Sequence, residues 1–161
     1  MKLATTQRVL LVCMGNICRS PTAEAIFRTR AQQQQLPIEF DSAGTIAHHQ
    51  GERPDPRSMA AGERRGYSFD GILARQVTTA DFEAFDLLLA ADKQNYQDLR
   101  RLAPNAAAQD KIAMMLQWGE HNQSEVADPY YGGSTGFEQV LDLLENAADG
   151  FITAWRQQQP T

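Results

Sequence analysis

Uninterrupted apolar runs and helical stripes alternate along the chain. Residues 9–12, Val-Leu-Leu-Val, are all apolar, the pattern of a strand buried on both faces of a sheet. Residues 21–35 change to a helical period: Ala23, Ala25, Ile26, Phe27 and Ala31 form an apolar face, with Glu24, Arg28 and Arg30 outward. Ser20 stands where it can cap this helix, and Pro21 where no backbone N–H is needed. The four glutamines 32–35 read as its solvated end, and Leu36-Pro37 stops it. Residues 38–44 read as a second strand running into a turn. Strand, helix and strand within about 35 residues make a right-handed parallel βαβ unit.

The same alternation continues. Residues 56–65 read as a helix with Met59, Ala60 and Ala61 inward, Glu63, Arg64 and Arg65 outward, and Gly66 as its stop. Residues 72–77 form a short extended piece, and 79–83 a short capped helical turn. Residues 85–91 are a third buried strand ending at Asp92, which can cap a helix over 93–102 bounded by Pro104. Residues 111–116 fit a fourth strand, although periodicity alone also allows a short helix. A long loop covers 119–136, and such loops in compact domains usually carry function. The last helix, 137–155, aligns Phe137, Val140, Leu141, Leu144, Ala148, Phe151, Ile152 and Trp155 for packing on the sheet, with no catalytic role. There is no repeat and no linker. The reading is a single α/β domain over residues 1–161, an open four-stranded parallel sheet with helices on both faces. Residues 1–7 and 157–161 are expected to be flexible ends.

Composition narrows the class. Apolar residues make 42% of the chain, charged residues 22%, and the net charge is −5, as in a soluble globular protein without a nucleic-acid surface. The apolar runs are too short to span a bilayer, and residues 1–7 lack the apolar core of a signal peptide, so a cytoplasmic location is expected. The two cysteines, Cys13 and Cys18, lie five apart at a loop, which reads as reactive chemistry rather than a disulfide staple.

That loop, between the first strand and the first helix, is the chemical centre. Successive N–H groups of residues 14–19 can converge on one anion, aided by the helix N-terminus, and Gly15 permits close approach. Arg19 offers a planar fork for two phosphate oxygens. A cysteine facing these groups is expected to ionise readily and act as a nucleophile on phosphorus. The plainer alternative is a buried strand-end cysteine beside an exposed arginine. Phosphoryl transfer also needs a group to protonate the leaving oxygen and later deprotonate water; one carboxyl can do both. Asp128, in the long loop, is the candidate; the alternative is an ordinary Asp-Pro turn beside two half-exposed tyrosines. His48 and His49 are adjacent with no Cys or carboxylate cluster at ligand spacing, so no metal site and no cofactor is implied.

Residues 13–21, C-M-G-N-I-C-R-S-P, resemble the C-x-G-N-x-C-R-S-P signature of the low-molecular-weight protein tyrosine phosphatases. Asp41-Ser42-Ala43-Gly44-Thr45, Asp55-Pro56-Arg57, Ala74-Arg75-Gln76-Val77 and Asp128-Pro129-Tyr130-Tyr131-Gly132 look like further landmarks in the family's order. The resemblance implies strand order 2-1-3-4 and hydrolysis of phosphotyrosine and aryl phosphates through a phosphocysteine, without metal. It assigns Cys13 as nucleophile, and Arg19 with the amides of Met14, Gly15, Asn16, Ile17 and Cys18 as phosphate cradle. Ser20 would donate to the Cys13 sulfur, and Asp128 would serve as general acid and then base. His48, with His49 beside it, takes the place of the family's aromatic cleft residue. Tyr130, Tyr131, Asp92 and Asn95 border the cleft. Ile72 replaces a histidine that usually braces the loop, so Asn16, Ser20 and Ser42 must hold it alone. Cys18 could trap oxidised Cys13 as a disulfide, or be merely a small buried side chain. Implied partners are tyrosine-phosphorylated proteins and inorganic phosphate or similar oxyanions, with no nucleic acid or membrane, for a monomer or weak dimer.

Two rival functions stay open. Arsenate reduction by an internal thiol relay needs a third cysteine, which is absent; a route using an external thiol remains. A non-catalytic phosphotyrosine-binding module would keep the cradle and lose the acid or nucleophile, which the presence of Cys13, Arg19 and Asp128 together opposes.

Overall fold

The first strand, β1 (Arg8–Cys13), is the centre of the sheet, as its unbroken apolar run requires. The computed structural model describes residues 3–120, 122–130 and 134–160. The elements in chain order are β1, α1 (Arg19–Gln33), β2 (Glu39–Gly44), α2 (Pro56–Arg64), α3 (Asp81–Ala84), β3 (Leu87–Ala90), α4 (Lys93–Leu102), α5 (Ala106–Gln109), β4 (Ile112–Met114) and α6 (Ser134–Gln157). The strands pair in the order β2-β1-β3-β4, and every pairing is parallel. Residues 112–114 are therefore a strand, which settles the ambiguity left by their periodicity.

Alternation along each strand splits the apolar run between two cores. Val9, Leu11 and Cys13 of β1 and Leu87 and Leu89 of β3 face one side, where Ile26 and Phe27 of α1 and Leu144 and Phe151 of α6 join them. Leu10, Val12, Leu88 and Ala90 face the other, against Phe82, Phe85 and Leu99. Each fully buried leucine is worth roughly 1.5–3 kcal/mol relative to exposure. Both faces of β1 are thus anchored, and its C-terminal end is a fixed point from which the loop departs.

Several expectations change. Helix α1 starts at Arg19, with Cys18 in the capping position and no side-chain cap. Ser20 lies inside the helix, where its hydroxyl turns toward Cys13 instead. Glu24, expected outward, is only 3% exposed, because the first half of α1 is covered on all sides. The helix ends where Gln35 turns left-handed (φ 59°), and Leu36 N donates to Ala31 O. In α2 the buried positions are Ser58, Ala61 and Gly62, whereas Ala60 is exposed. Its cap is Asp55, whose carboxylate accepts from Arg57 N at 2.8 Å. The turn expected over 79–83 is helical from Asp81 and has no side-chain cap. The short α5, capped by Asn105, is an addition, and α6 extends beyond 137–155 at both ends. Asp92 caps α4 as expected, accepting from Asn95 N at 2.7 Å.

Residues 3–6 are bonded to residues 155–158. Leu3 is fully buried, and its N–H donates to Gln158 Oε1, while Trp155 Nε1 donates to Thr6 O at 3.1 Å. Among the described residues no helix is long and apolar enough to cross a membrane.

Candidate active site

Residues 14–18 leave the carboxyl edge of β1 and enter α1, at the point where the neighbouring strands β2 and β3 diverge in sequence order. Cys13, 2% exposed, ends the strand. Its sulfur receives the Asn16 N–H at 3.3 Å and lies 3.0 Å from Ser20 Oγ. Asn16 holds a left-handed backbone (φ 57°), which asparagine tolerates and which turns the loop around the sulfur.

The side chain of Asn16 then braces the loop from behind. Its Nδ2 donates to Ser20 Oγ at 2.7 Å and Ser42 Oγ at 3.1 Å, and its Oδ1 accepts from Arg75 N at 3.0 Å. Ser42 in turn donates to Glu24 Oε1 at 2.7 Å, and Arg28 pairs with the other oxygen of Glu24. Burial pushes the Glu24 carboxyl above its usual range, while Ser42 and Arg28 pull it back. Because Ser20 Oγ accepts from Asn16, its own proton is free for the sulfur, with Ala43 O, at 3.4 Å, the weaker acceptor. Asn16, Ser20 and Ser42 are together as expected; Glu24 closes the chain of bonds in a way its charge concealed. Ile72 is simply core.

Close approach fixes the loop's far side. A Cβ on Gly44 would stand 2.6 Å from Met14 O, so only glycine fits where β2 passes the loop. Thr45 N and Ile46 N donate to Cys13 O and Met14 O at 2.9 and 3.1 Å.

Arg19 is 3% exposed, not a surface residue at the start of a helix. Its Nη1 donates to Asp92 Oδ2 at 2.7 Å and Val126 O at 3.0 Å, and its Nη2 lies 3.7 Å from Asp128 Oδ2. Burial opposes its charge, but Cys13, Asp92 and Asp128 outweigh that and hold the guanidinium above its ordinary range. Asp128 is half-exposed, and its Oδ1 accepts from Tyr130 N at 3.0 Å, a local turn that aims the carboxyl.

One cleft joins Cys13, Arg19 and Asp128 with His48, His49 and Tyr130. His49 packs edge-on against His48 at 4.7 Å between ring centres, lies close to Gly15, and is held by Glu52 through Nδ1. Met14, Gly15, Ile17 and Cys18 also line the cleft, as does Ile46, which sequence patterning passes over. Asn95 does not: it is 1% exposed at the start of α4, and its Oδ1 has no hydrogen-bond partner among the described residues. Asp92 acts on Arg19 rather than on the cleft wall. Tyr131 lies outside the described residues. Among the described residues no group of three metal-ligating side chains converges.

Cys13 and Cys18 are both free thiols. The Cys18 thiol is pushed up to about 12, chiefly by burial, against which a bond from Ser58 works; Asp55, Asp128 and Cys13 add to the rise. Below the ordinary 9.0 the thiol is neutral in folded and unfolded chains alike. Between 9 and about 12 the unfolded chain releases the proton that the folded chain keeps, so stability falls as pH rises. Thermal unfolding from pH 8 to 10.5 is expected to show a steeper decline for wild type than for Cys18→Ser, by at most about 1.4 kcal/mol per pH unit. Parallel curves would contradict this.

A cysteine whose sulfur meets the Asn16 amide, with a buried arginine and a carboxyl in the same cleft, is an arrangement suited to a phosphate ester. The model of the family "Low molecular weight phosphotyrosine protein phosphatase" matches residues 8–160. The chain is 42% identical over 158 residues to the low molecular weight protein-tyrosine-phosphatase of Streptomyces coelicolor, covering 95% of this chain and 96% of that one. It is 38% identical over 150 residues to the human low molecular weight phosphotyrosine protein phosphatase, covering 91% and 94%. A crystal structure of the Entamoeba histolytica protein tyrosine phosphatase, with Hepes in the active site, superposes with a TM-score of 0.90 at 39% identity over 94% and 98% of the two chains. The chain belongs to the low-molecular-weight phosphotyrosine protein phosphatases, and its activity is that of a protein tyrosine phosphatase.

Proposed function

We propose that this phosphatase works through a phosphocysteine on Cys13, with Arg19 and the amides of residues 14–19 holding the phosphate and Asp128 moving the protons. The observation that carries the reading is the meeting of the three side chains in one cleft, with Arg19 Nη2 3.7 Å from Asp128 Oδ2. In the first step the Cys13 sulfur attacks phosphorus in line and a bond to the aryl oxygen breaks. Asp128 gives its proton to that oxygen. Ser20, 3.0 Å from the sulfur, stabilises the negative charge there before attack and again when the sulfur leaves. In the second step water attacks the phosphocysteine, Asp128 takes the water's proton, and inorganic phosphate departs. Arg19 and the loop amides supply the positive field throughout, so the step calls for no metal.

The substrates are tyrosine-phosphorylated proteins, whose flat ring enters between His48 and Tyr130. The Entamoeba relative holds Hepes, which carries a sulfonate, in its active site, and this supports an oxyanion seat in the cleft here. The chain acts as one domain over residues 1–161, a monomer or weak dimer in the cytoplasm, without nucleic-acid partners. Cys18 is the thiol that would capture oxidised Cys13.

The test is hydrolysis of a series of aryl phosphates by wild type and Asp128→Ala in a metal chelator. Wild-type turnover is expected to be indifferent to the chelator. The variant is expected to lose on the order of 10²–10⁴ in kcat/KM, which reports the first step, most with poor leaving groups. An equal loss across the series would remove Asp128 from the role of acid.

A further inference from the structure

Arg57 lies outside the catalytic constellation but bonds to Asp55, which holds the phosphate loop, and to Tyr130, which holds Asp128. It sits in the first turn of α2, whose cap Asp55 is buried and donates its backbone N–H to Ile17 O of the phosphate loop at 2.7 Å. The Arg57 guanidinium forks onto that cap, with Nε 3.1 Å from Asp55 Oδ1 and Nη2 3.0 Å from Oδ2. Burial disfavours the charge of Asp55, yet the bonds from Arg57 hold its carboxyl below the usual range, so the pair is ionic.

From this anchor the guanidinium also reaches the segment that carries Asp128. Nη2 also donates to Tyr130 O at 2.9 Å, and the guanidinium carbon lies 5.4 Å from the centre of the Tyr130 ring and 4.8 Å from that of Phe137. Phe137 is buried at the start of α6. Tyr130 is the residue whose N–H holds Asp128 Oδ1. Arg57 therefore fixes the carbonyl of the same residue whose amide aims the proposed acid. It joins the back of the phosphate loop to the segment 128–130, alongside the 3.7 Å Arg19–Asp128 pair.

We propose that Arg57 is a positioning residue for the general acid, setting the register between Asp128 and the phosphate held by residues 14–19. The proposal rests on the reading of Asp128 as the acid. A lysine cannot reproduce it, because one ammonium cannot fork onto Asp55, reach Tyr130 O and lie flat on two rings together. Misplacing a catalytic group by about 1 Å can cost on the order of 10²-fold.

The experiment is a double-mutant cycle with Arg57→Ala, Arg57→Lys, Asp128→Ala and the double variant Arg57→Ala with Asp128→Ala, each assayed on aryl phosphates of graded leaving-group strength. Arg57→Ala is expected to lose about tenfold or more in kcat/KM, which reports the first step alone, on poor leaving groups and little on good ones, with Arg57→Lys between it and wild type. Inhibition by inorganic phosphate should be unchanged, because the cradle is intact. In the Asp128→Ala background the Arg57 substitution should cost nothing further. If Arg57→Ala loses kcat/KM equally across the series, weakens phosphate inhibition, or costs as much without Asp128 as with it, Arg57 has only a structural role and the proposal is overturned. If Asp128→Ala itself shows no leaving-group dependence, the acid assignment fails first and the proposal falls with it.

Discussion

Cys13→Ser is expected to reduce turnover of aryl phosphates by a factor on the order of 10⁶, while leaving the affinity for inorganic phosphate close to wild type. The Asn16 N–H and the Ser20 hydroxyl meet the sulfur at 3.3 and 3.0 Å, which seats it for attack. A serine hydroxyl at the same place holds its proton far more tightly, and neither neighbour is a base that could take it. The amides and Arg19 are untouched, so the anion still binds. The check is kcat for the variant beside its inhibition by phosphate. A loss smaller than about tenfold would mean that another group attacks phosphorus.

Arg19→Lys is expected to behave differently, losing both turnover and phosphate affinity, with kcat/KM falling on the order of 10³–10⁵. The fork is divided: Nη1 is spent on Asp92 and Val126 O, which fix the plane, and Nη2 is left toward the cleft. A lysine in this buried place can satisfy Asp92 or reach the anion, not both, and it presents one point charge where two phosphate oxygens need parallel donors. Measuring kcat/KM together with the phosphate inhibition constant separates the two variants. If Arg19→Lys lowers kcat without weakening phosphate binding, the cradle role is wrong.

These two outcomes concern the part of the protein that was plainest in the sequence. An apolar run, a loop with Gly15 and Asn16 where tight turning is needed, and a proline near the helix start are local signals, and the structure keeps each of them. The motif carried the pairing of Cys13 with Arg19. Asp128 was harder, since an aspartate before proline also makes an ordinary turn, and only the chain's return to the same cleft gives it neighbours.

What could not be read depends on packing between distant segments. Glu24 sits among charged residues on a helix that looks amphipathic, so its charge pointed outward. The structure buries it because β2 brings Ser42 to the same place. Ser20 was assigned to a cap since serine before proline suits one, but the sulfur and Asn16 compete for its hydroxyl and win. The family resemblance placed Asn95 beside the cleft; the structure buries it at the start of α4 instead. Arg57 meets Tyr130 from far along the chain, and no spacing rule joins them.

The most direct measurement is rapid-quench mass spectrometry of Asp128→Ala mixed with an activated aryl phosphate. With a good leaving group the first step proceeds without the acid, while hydrolysis, which needs Asp128 as base, is slowed. A phosphoryl group on the peptide containing Cys13, formed within the first turnover and absent from Cys13→Ser, is the predicted result. Turnover of aryl phosphate by wild type with no phosphorylated Cys13 in the trapped variant, or with the phosphoryl group on another residue, would contradict the account.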